Sequence, residues 1–194
     1  MSLFEIVAAA LGIISVYFSS RQIVLAWPTS LLNNTMYGVI FFEQKLYALM
    51  ALQGCFFVIA VYGWYQWLFG GAAKTKLNVT RIPLKLGALL ALLTLAGTLL
   101  IWFTLHHHTD DPNPLIDGFF FAVSLTAQWM MARKYFECWP VWVTINCVAV
   151  PFFLLHRSYP TMVQYAVFLV LAIMGTRNWW KSLQEGRQQS TVNS

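Results

Sequence analysis

Trp139, Trp142 and Asn146 follow one another at intervals of three and four residues. On an α-helix such intervals bring side chains onto one face. Two indoles and an amide on one face can stack a planar ring and hydrogen-bond its polar edge. A second asparagine, Asn34, lies in an earlier apolar run with Tyr37 nearby, and Gln53, Gln128 and Gln164 add further uncharged donors and acceptors inside apolar stretches. No Asp, Glu, Lys or Arg falls near the middle of these stretches. That argues against a proton relay, a voltage sensor or a charged ion-coupling site, each of which needs an ionisable group at depth. An intramembrane hydrolase would need a Ser/His or paired-acid arrangement, and a channel a filter motif; the sequence shows neither. His106, His107 and His108 with Asp110 and Asp111 have the chemistry of metal ligands but no helical spacing. They are read as an outer loop, with no metal site and no cofactor.

The elements that carry these residues are set by composition. Of 194 residues, 59% are hydrophobic and 10% are charged, whereas a soluble domain carries roughly 25% charged residues. So few charges cannot cover a surface in water, and lipid must face much of the chain. A helix needs about 20 apolar residues to cross the hydrocarbon core. Seven stretches come close: Leu3–Ser19, Ile23–Phe42, Leu46–Phe69, Pro83–Leu105, Leu115–Met131, Cys138–Leu155 and Tyr159–Trp180. The first starts without a basic leader and reads as a retained helix. Cys55, Cys138 and Cys147 form no CxxC pair, so neither a disulfide framework nor a zinc site is expected.

Basic residues divide unevenly between the two sides. Arg21, Lys74, Lys76, Arg81, Lys85, Arg133, Lys134, Arg177, Lys181 and Arg187 fall on one, and only Lys45 and Arg157 on the other. Glu5, Glu43, Asp110, Asp111 and Asp117 join the second side. By the positive-inside rule the N-terminus is outside and the C-terminus inside. The net charge of +5 is therefore an orienting signal, and nucleic-acid binding is not expected. The Asn78-Val79-Thr80 sequon falls on the inner side, and the segment from Gly70 to Lys85 lacks a phosphate-loop motif and reads as a linker.

The chain also resembles itself. At an offset of 112 residues, Arg21, Trp27, Pro28 and Asn34 fall on Arg133, Trp139, Pro140 and Asn146; Phe41, Tyr47, Met50 and Phe56 on Phe153, Tyr159, Met162 and Phe168; Val58, Ala60, Gly63 and Trp67 on Val170, Ala172, Gly175 and Trp179. The unit is three helices, with the fourth as a connector. An extra crossing restores the starting side, so the halves are parallel. This predicts an all-α transmembrane fold of seven helices in a 3+1+3 arrangement: residues 1–69 as the first repeat, 70–105 as linker and fourth helix, 106–182 as the second repeat, and 183–194 as an inner tail. Two such halves with a site between them are a common transporter plan.

Buried amides have two possible uses, interhelical hydrogen bonds or cavity contacts. The equivalence of Asn34 and Asn146 assigns that pair to a cavity. Trp139, beside Arg133 and Lys134, also suits an interfacial anchor, and Trp64, Trp67, Trp179 and Trp180 read as belt residues.

Trp27-Pro28 with Asn34 and Tyr37, then Lys45-Leu46-Tyr47, Gln53 and Gly63-Trp64-Tyr65-Gln66-Trp67, resembles the first half of PnuC-type vitamin transporters; Trp139, Trp142 and Asn146, with Gly175 ahead of a tryptophan, resembles the second. The resemblance spans about residues 10 to 182. It implies an N-out facilitator of a bacterial inner membrane, with a fold similar to SWEET sugar transporters and a homotrimeric assembly. It also implies uptake of an unphosphorylated vitamin, chiefly nicotinamide riboside, with thiamine or another flat vitamin or nucleoside in relatives, and trapping by a cytosolic kinase. With the substrate expected between the repeat halves, the candidate contacts are Asn34, Tyr37, Gln53, Gln128, Trp139, Trp142, Asn146 and Gln164.

Overall fold

The computed structural model describes residues 3–109 and 113–192. Asp110 and Asp111 lie outside them, and His106, His107 and His108, expected in a loop, instead form the last turn of the fourth helix. The described chain is helical: α1 Leu3–Ser20, α2 Ala26–Glu43, α3 Tyr47–Phe69, α4 Leu84–His108, α5 Pro114–Ala132, α6 Cys138–Leu155 and α7 Tyr159–Val192, with one short 3-10 turn at Ala72–Lys74. Starts agree with the sequence reading to within three residues. The seventh helix runs well beyond Trp180, because no proline or glycine pair stops it and residues 181–192 contain good helix formers.

Six of the helices are long and apolar enough to cross a membrane, and α2 is not among them. Pro28, Thr29, Ser30, Asn33, Asn34 and Thr35 dilute its apolar content. It is nonetheless as long as α1 and α6, at 18 residues, and its polar groups turn onto its neighbours. Asn33 Nδ2 donates to the Ala8 carbonyl at 2.7 Å, and Ser15 Oγ donates to the Ala26 carbonyl at 2.9 Å. Those bonds pair the end of one helix with the start of the other, so α1 and α2 are antiparallel.

Both α2 and α6 begin with a Trp-Pro pair in the first turn, where a missing N–H costs nothing because it would have no helical partner. The turns entering and leaving these helices are also alike. Gln22, Lys45, Lys134 and Arg157 all take the left-handed conformation, with φ of 58°, 59°, 52° and 55°. Each turn is closed by an N–H reaching back five residues: Ile23 to Phe18, Leu46 to Phe41, Tyr135 to Met130 and Ser158 to Phe153. Such a closure satisfies the last helical carbonyls. The first and third turns, and the second and fourth, are related by the offset of 112, so the repeat extends to backbone conformation.

Helix packing follows the same relation. α1 packs on α7, and its equivalent α5 packs on α3, the equivalent of α7. α4 packs on α5. It therefore travels with the second half, and the linker before it does too. Thr80 N–H donates to the Lys134 carbonyl at 3.1 Å and Phe136 N–H to the Thr80 carbonyl at 2.9 Å. Glu137 accepts the Ile82 N–H at 3.0 Å and lies 3.9 Å from Arg81.

Candidate functional site

The closed floor of the candidate site is a tryptophan layer at the end where α1, α3 and α5 finish and α7 passes on towards Val192, called here the basic end. Trp27, Trp67, Trp139 and Trp179 are each no more than 1% exposed. Trp67 and Trp179 meet between the halves at 5.9 Å, Trp27 stands edge-on to Trp67 at 5.2 Å, and Trp139 stands edge-on to Trp179 at 5.6 Å. Trp67 Nε1 donates to the Met131 carbonyl at 3.1 Å, and Trp179 Nε1 to the Ser19 carbonyl at 3.0 Å. These are one bond in two copies. Trp67 and Trp179 are thus not belt residues, and Trp139 is not an interfacial anchor; Trp64 and Trp180 do stay partly exposed. A residue near a helix end can face lipid or partner, and position along the chain does not tell which.

Other bonds tie the halves together at this end. Gln22 Nε2 donates to Ser182 Oγ at 2.8 Å, Asn178 Nδ2 to the Ser20 carbonyl at 3.2 Å, Arg133 Nη1 to Tyr62 Oη at 3.2 Å and Lys134 Nζ to Gln22 Oε1 at 3.3 Å. At the opposite end Gln164 Nε2 reaches Tyr37 Oη at 3.5 Å, which is at the edge of hydrogen-bonding distance. The halves are therefore sealed on the basic side, by four side-chain hydrogen bonds and the paired tryptophan bonds.

Above the floor the sequence-selected residues fall into three levels, counted at about 1.5 Å of rise per residue. Trp142 stands one turn above Trp139, and Gln128 on α5 is at a similar depth. Asn34 and Asn146 come next, each the ninth residue of an 18-residue helix, about 10 Å above the tryptophan layer. Tyr37, Gln53 and Gln164 form the level nearest the opposite end. The structure brings Tyr37 and Gln164 into contact; Gln53 and Gln128 are half-buried on α3 and α5. Asn34 is 5% and Asn146 3% exposed, so both amides turn inward from lipid. Asn146 Nδ2 donates to the Trp142 carbonyl at 2.7 Å, and Asn34 Nδ2 lies 3.5 Å from Ser30 Oγ. One donor of each is held within its own helix, which fixes the rotamer and leaves the amide oxygen as acceptor.

The equivalence breaks at one place that matters. Trp142 has Ser30 as its partner at the offset of 112. One half thus presents a large flat ring and the other a small hydroxyl at the same depth. Trp142 Nε1 is buried with no hydrogen-bond partner, as are Trp27 Nε1 and Trp139 Nε1. Buried indole N–H groups are ordinarily paired. An unpaired one is a ready donor. The sequence reading passed over Ser30; the signal for it was the mismatch in an otherwise matched repeat.

A hollow of about 470 Å³ lies between α4, α5 and α6, lined by residues including Leu90, Leu95, Phe119, Val123 and Val141. Ile82 and Glu137 also line it, but none of the sequence-selected site residues does. Thr94 and Thr126 share a hydrogen bond at 2.7 Å on its wall, so its polarity is already used. His107 Nδ1 pairs with the Phe103 carbonyl, and His106 stacks on Trp102.

Residues 2–181 match the family model described as nicotinamide mononucleotide transporter. The chain belongs to this family. It is a multi-pass membrane transporter and not an enzyme. Relatives include the nicotinamide riboside transporter PnuC of Escherichia coli strain K12, 27% identical over 95% of this chain and 88% of that one. The riboflavin/roseoflavin transporter RibM of Streptomyces davaonensis is 27% identical over 91% of this chain and 84% of its own length. The crystal structure of the vitamin B3 transporter PnuC covers 92% of this chain and 81% of the crystal chain, with a TM-score of 0.73 and 24% identity. The seven helices therefore form the PnuC fold.

Proposed function

We propose that this PnuC-family transporter carries an unphosphorylated vitamin with a flat ring, nicotinamide riboside, across a bacterial inner membrane by facilitated diffusion. The observation that carries this reading is the Trp142/Ser30 mismatch, one turn before Asn146 and Asn34 in the matched helices. A pyridinium ring stacks on an indole face with about 0.5–2 kcal/mol of cation–π attraction. The asparagine oxygens accept from a carboxamide or from ribose hydroxyls, and the Trp142 N–H donates. Tyr37, Gln53, Gln128 and Gln164 complete the polar wall. Thiamine is also a flat cation and fits the same argument. Riboflavin is a second reading with its own support, since RibM is 27% identical to the chain, as the Escherichia coli relative is, though over a shorter stretch.

In this reading the basic end faces the cytoplasm, with the N-terminus outside and the C-terminus inside. A cytosolic kinase phosphorylates the vitamin and so keeps the gradient inward. The assembly is a homotrimer in the lipid bilayer, as in the family resemblance. Calorimetry of the purified protein against nicotinamide riboside, thiamine and riboflavin tests the assignment. Nicotinamide riboside is expected to bind tightest. Saturable binding of riboflavin alone would move the function to the second reading.

A further inference from the structure

Lys134 stands where a lysine is least expected. It lies in the turn between α5 and α6 and is only 6% exposed. Its ammonium sits 4.6 Å from the centre of the Trp67 ring and donates to Gln22 Oε1 from the other half. Gln22 is its equivalent at the offset of 112. Both residues have the same left-handed backbone, so the two turns aim these side chains at each other across the repeat axis. An ammonium has three donors, and this one has a neutral amide as its hydrogen-bond partner.

Among the described residues, the surrounding groups do not neutralise it. Gln22 from the α1–α2 turn, Trp67 from α3 and the Thr80 backbone from the linker are uncharged, and Gln22 is itself held by Ser182 of α7. Lys76 of the linker acts on it as a like charge. On its own turn Arg133 is engaged by Tyr62, and Glu137 by Arg81 and the Ile82 N–H.

We propose that Lys134 is a gating residue: its buried ammonium raises the free energy of the sealed basic end, so that opening, which hydrates the charge, is favoured. The proposal rests on the reading that this end opens and closes during transport. A neutral apolar side chain at 134 would make the seal tighter. The physical basis is that charge burial without a counter-ion is costly, and a lysine relieves that cost by losing its proton. Burial, then the like charge of Lys76, lowers the Lys134 pKa from 10.5 to about 8 in the sealed protein. In the opened protein the ammonium meets water and its pKa returns towards the ordinary value. Opening therefore takes up protons between these two values. The bias towards opening is fully present below about pH 8 and fades as pH rises from there towards the ordinary lysine range.

The test needs no substrate, so an error in the vitamin assignment leaves it intact. Hydrogen exchange would be followed by mass spectrometry in the turn peptides 17–27 and 129–139 of the full chain at pH 7. Lys134→Met is expected to slow exchange there by between about ten- and 300-fold, one decade for each unit of pKa displacement relieved, while peptides from the α4–α5 contact at the far end stay unchanged. It should also raise the melting temperature at pH 7, with the advantage shrinking at pH 9.5. Lys134→Gln, which copies the opposing turn, should act in the same direction and guards against a misfolded methionine variant. If both variants exchange faster and melt lower, Lys134 holds the seal through its ring contact and hydrogen bond, and the proposal is overturned. Unchanged exchange in both overturns it as well.

Discussion

Trp139 packs directly against Gly175, and a Cβ built on that glycine would collide with the carbons of the indole ring. The first half repeats the relationship with Trp27 over Gly63. Two glycines thus let α3 and α7 approach their neighbours closely enough to bury the tryptophan floor, as small residues commonly do between membrane helices.

Gly175→Ala should therefore destabilise the protein by about 1–3 kcal/mol, the usual cost of forcing extra atoms into a packed interior. Gly63→Ala should behave alike. Gly38→Ala is the control. It meets nothing within 4 Å, and losing a mid-helix glycine is expected to be neutral or mildly stabilising. Thermal unfolding of the three variants in detergent separates these outcomes. Equal melting temperatures in all three would show that the indoles can move aside.

Asn146→Leu and Trp142→Ala should each weaken vitamin binding by about 5- to 150-fold. The figure follows from about 1–3 kcal/mol for a polar group left unpaired, and a similar loss for a removed stacking face. Neither change places a charge in lipid, so yield and monodispersity should hold. Calorimetry decides: wild-type affinity in both variants would put the site elsewhere, and collapse of both would make these residues packing elements.

The proposed orientation has a direct assay. A reporter fused at the C-terminus should be active in a cytoplasmic format and silent in a periplasmic one. The motivation is the gathering of the Arg21, Arg133 and Lys134 turns and the basic linker at one end of the bundle. Periplasmic activity alone would invert the assignment.

Uptake into proteoliposomes should equilibrate the vitamin and go no further. Asn34 and Asn146 at mid-depth are uncharged, and a coupling ion has no ionisable side chain to meet at their level. Accumulation against a gradient, driven by sodium or protons with no kinase inside, would contradict the facilitator reading.

Much of this architecture was legible in the chain. Length and apolarity located the helices, and the match of Trp27-Pro28 with Trp139-Pro140 located the repeat. What escaped was rotation about each helix axis. On a lipid-facing helix both faces are apolar, so periodicity carries little information about which one is buried. Trp67 and Trp64 are three residues apart, and one is wholly buried while the other is 38% exposed. Lys134 escaped for the opposite reason. A lysine beside an arginine in a turn looks like an orienting charge, and only the three-dimensional meeting with Gln22 shows that it is enclosed. For α2 the sequence reading was more generous than hydropathy allows, because bonds such as Asn33 to Ala8 make its polar content tolerable only after the helices have paired.

The reciprocal bonds of Trp67 and Trp179 have a consequence for how such a chain can be divided. Each half lends the other a carbonyl, Met131 in one direction and Ser19 in the other. A fragment ending after α3 would keep the Trp67 donor and lose its acceptor, yet it would still carry the Ser19 carbonyl that the equivalent tryptophan uses. Two copies of that fragment, set side by side in the same orientation, could satisfy each other as identical subunits do about a two-fold axis. The floor of this transporter thus has the geometry of a dimer interface written into a single polypeptide.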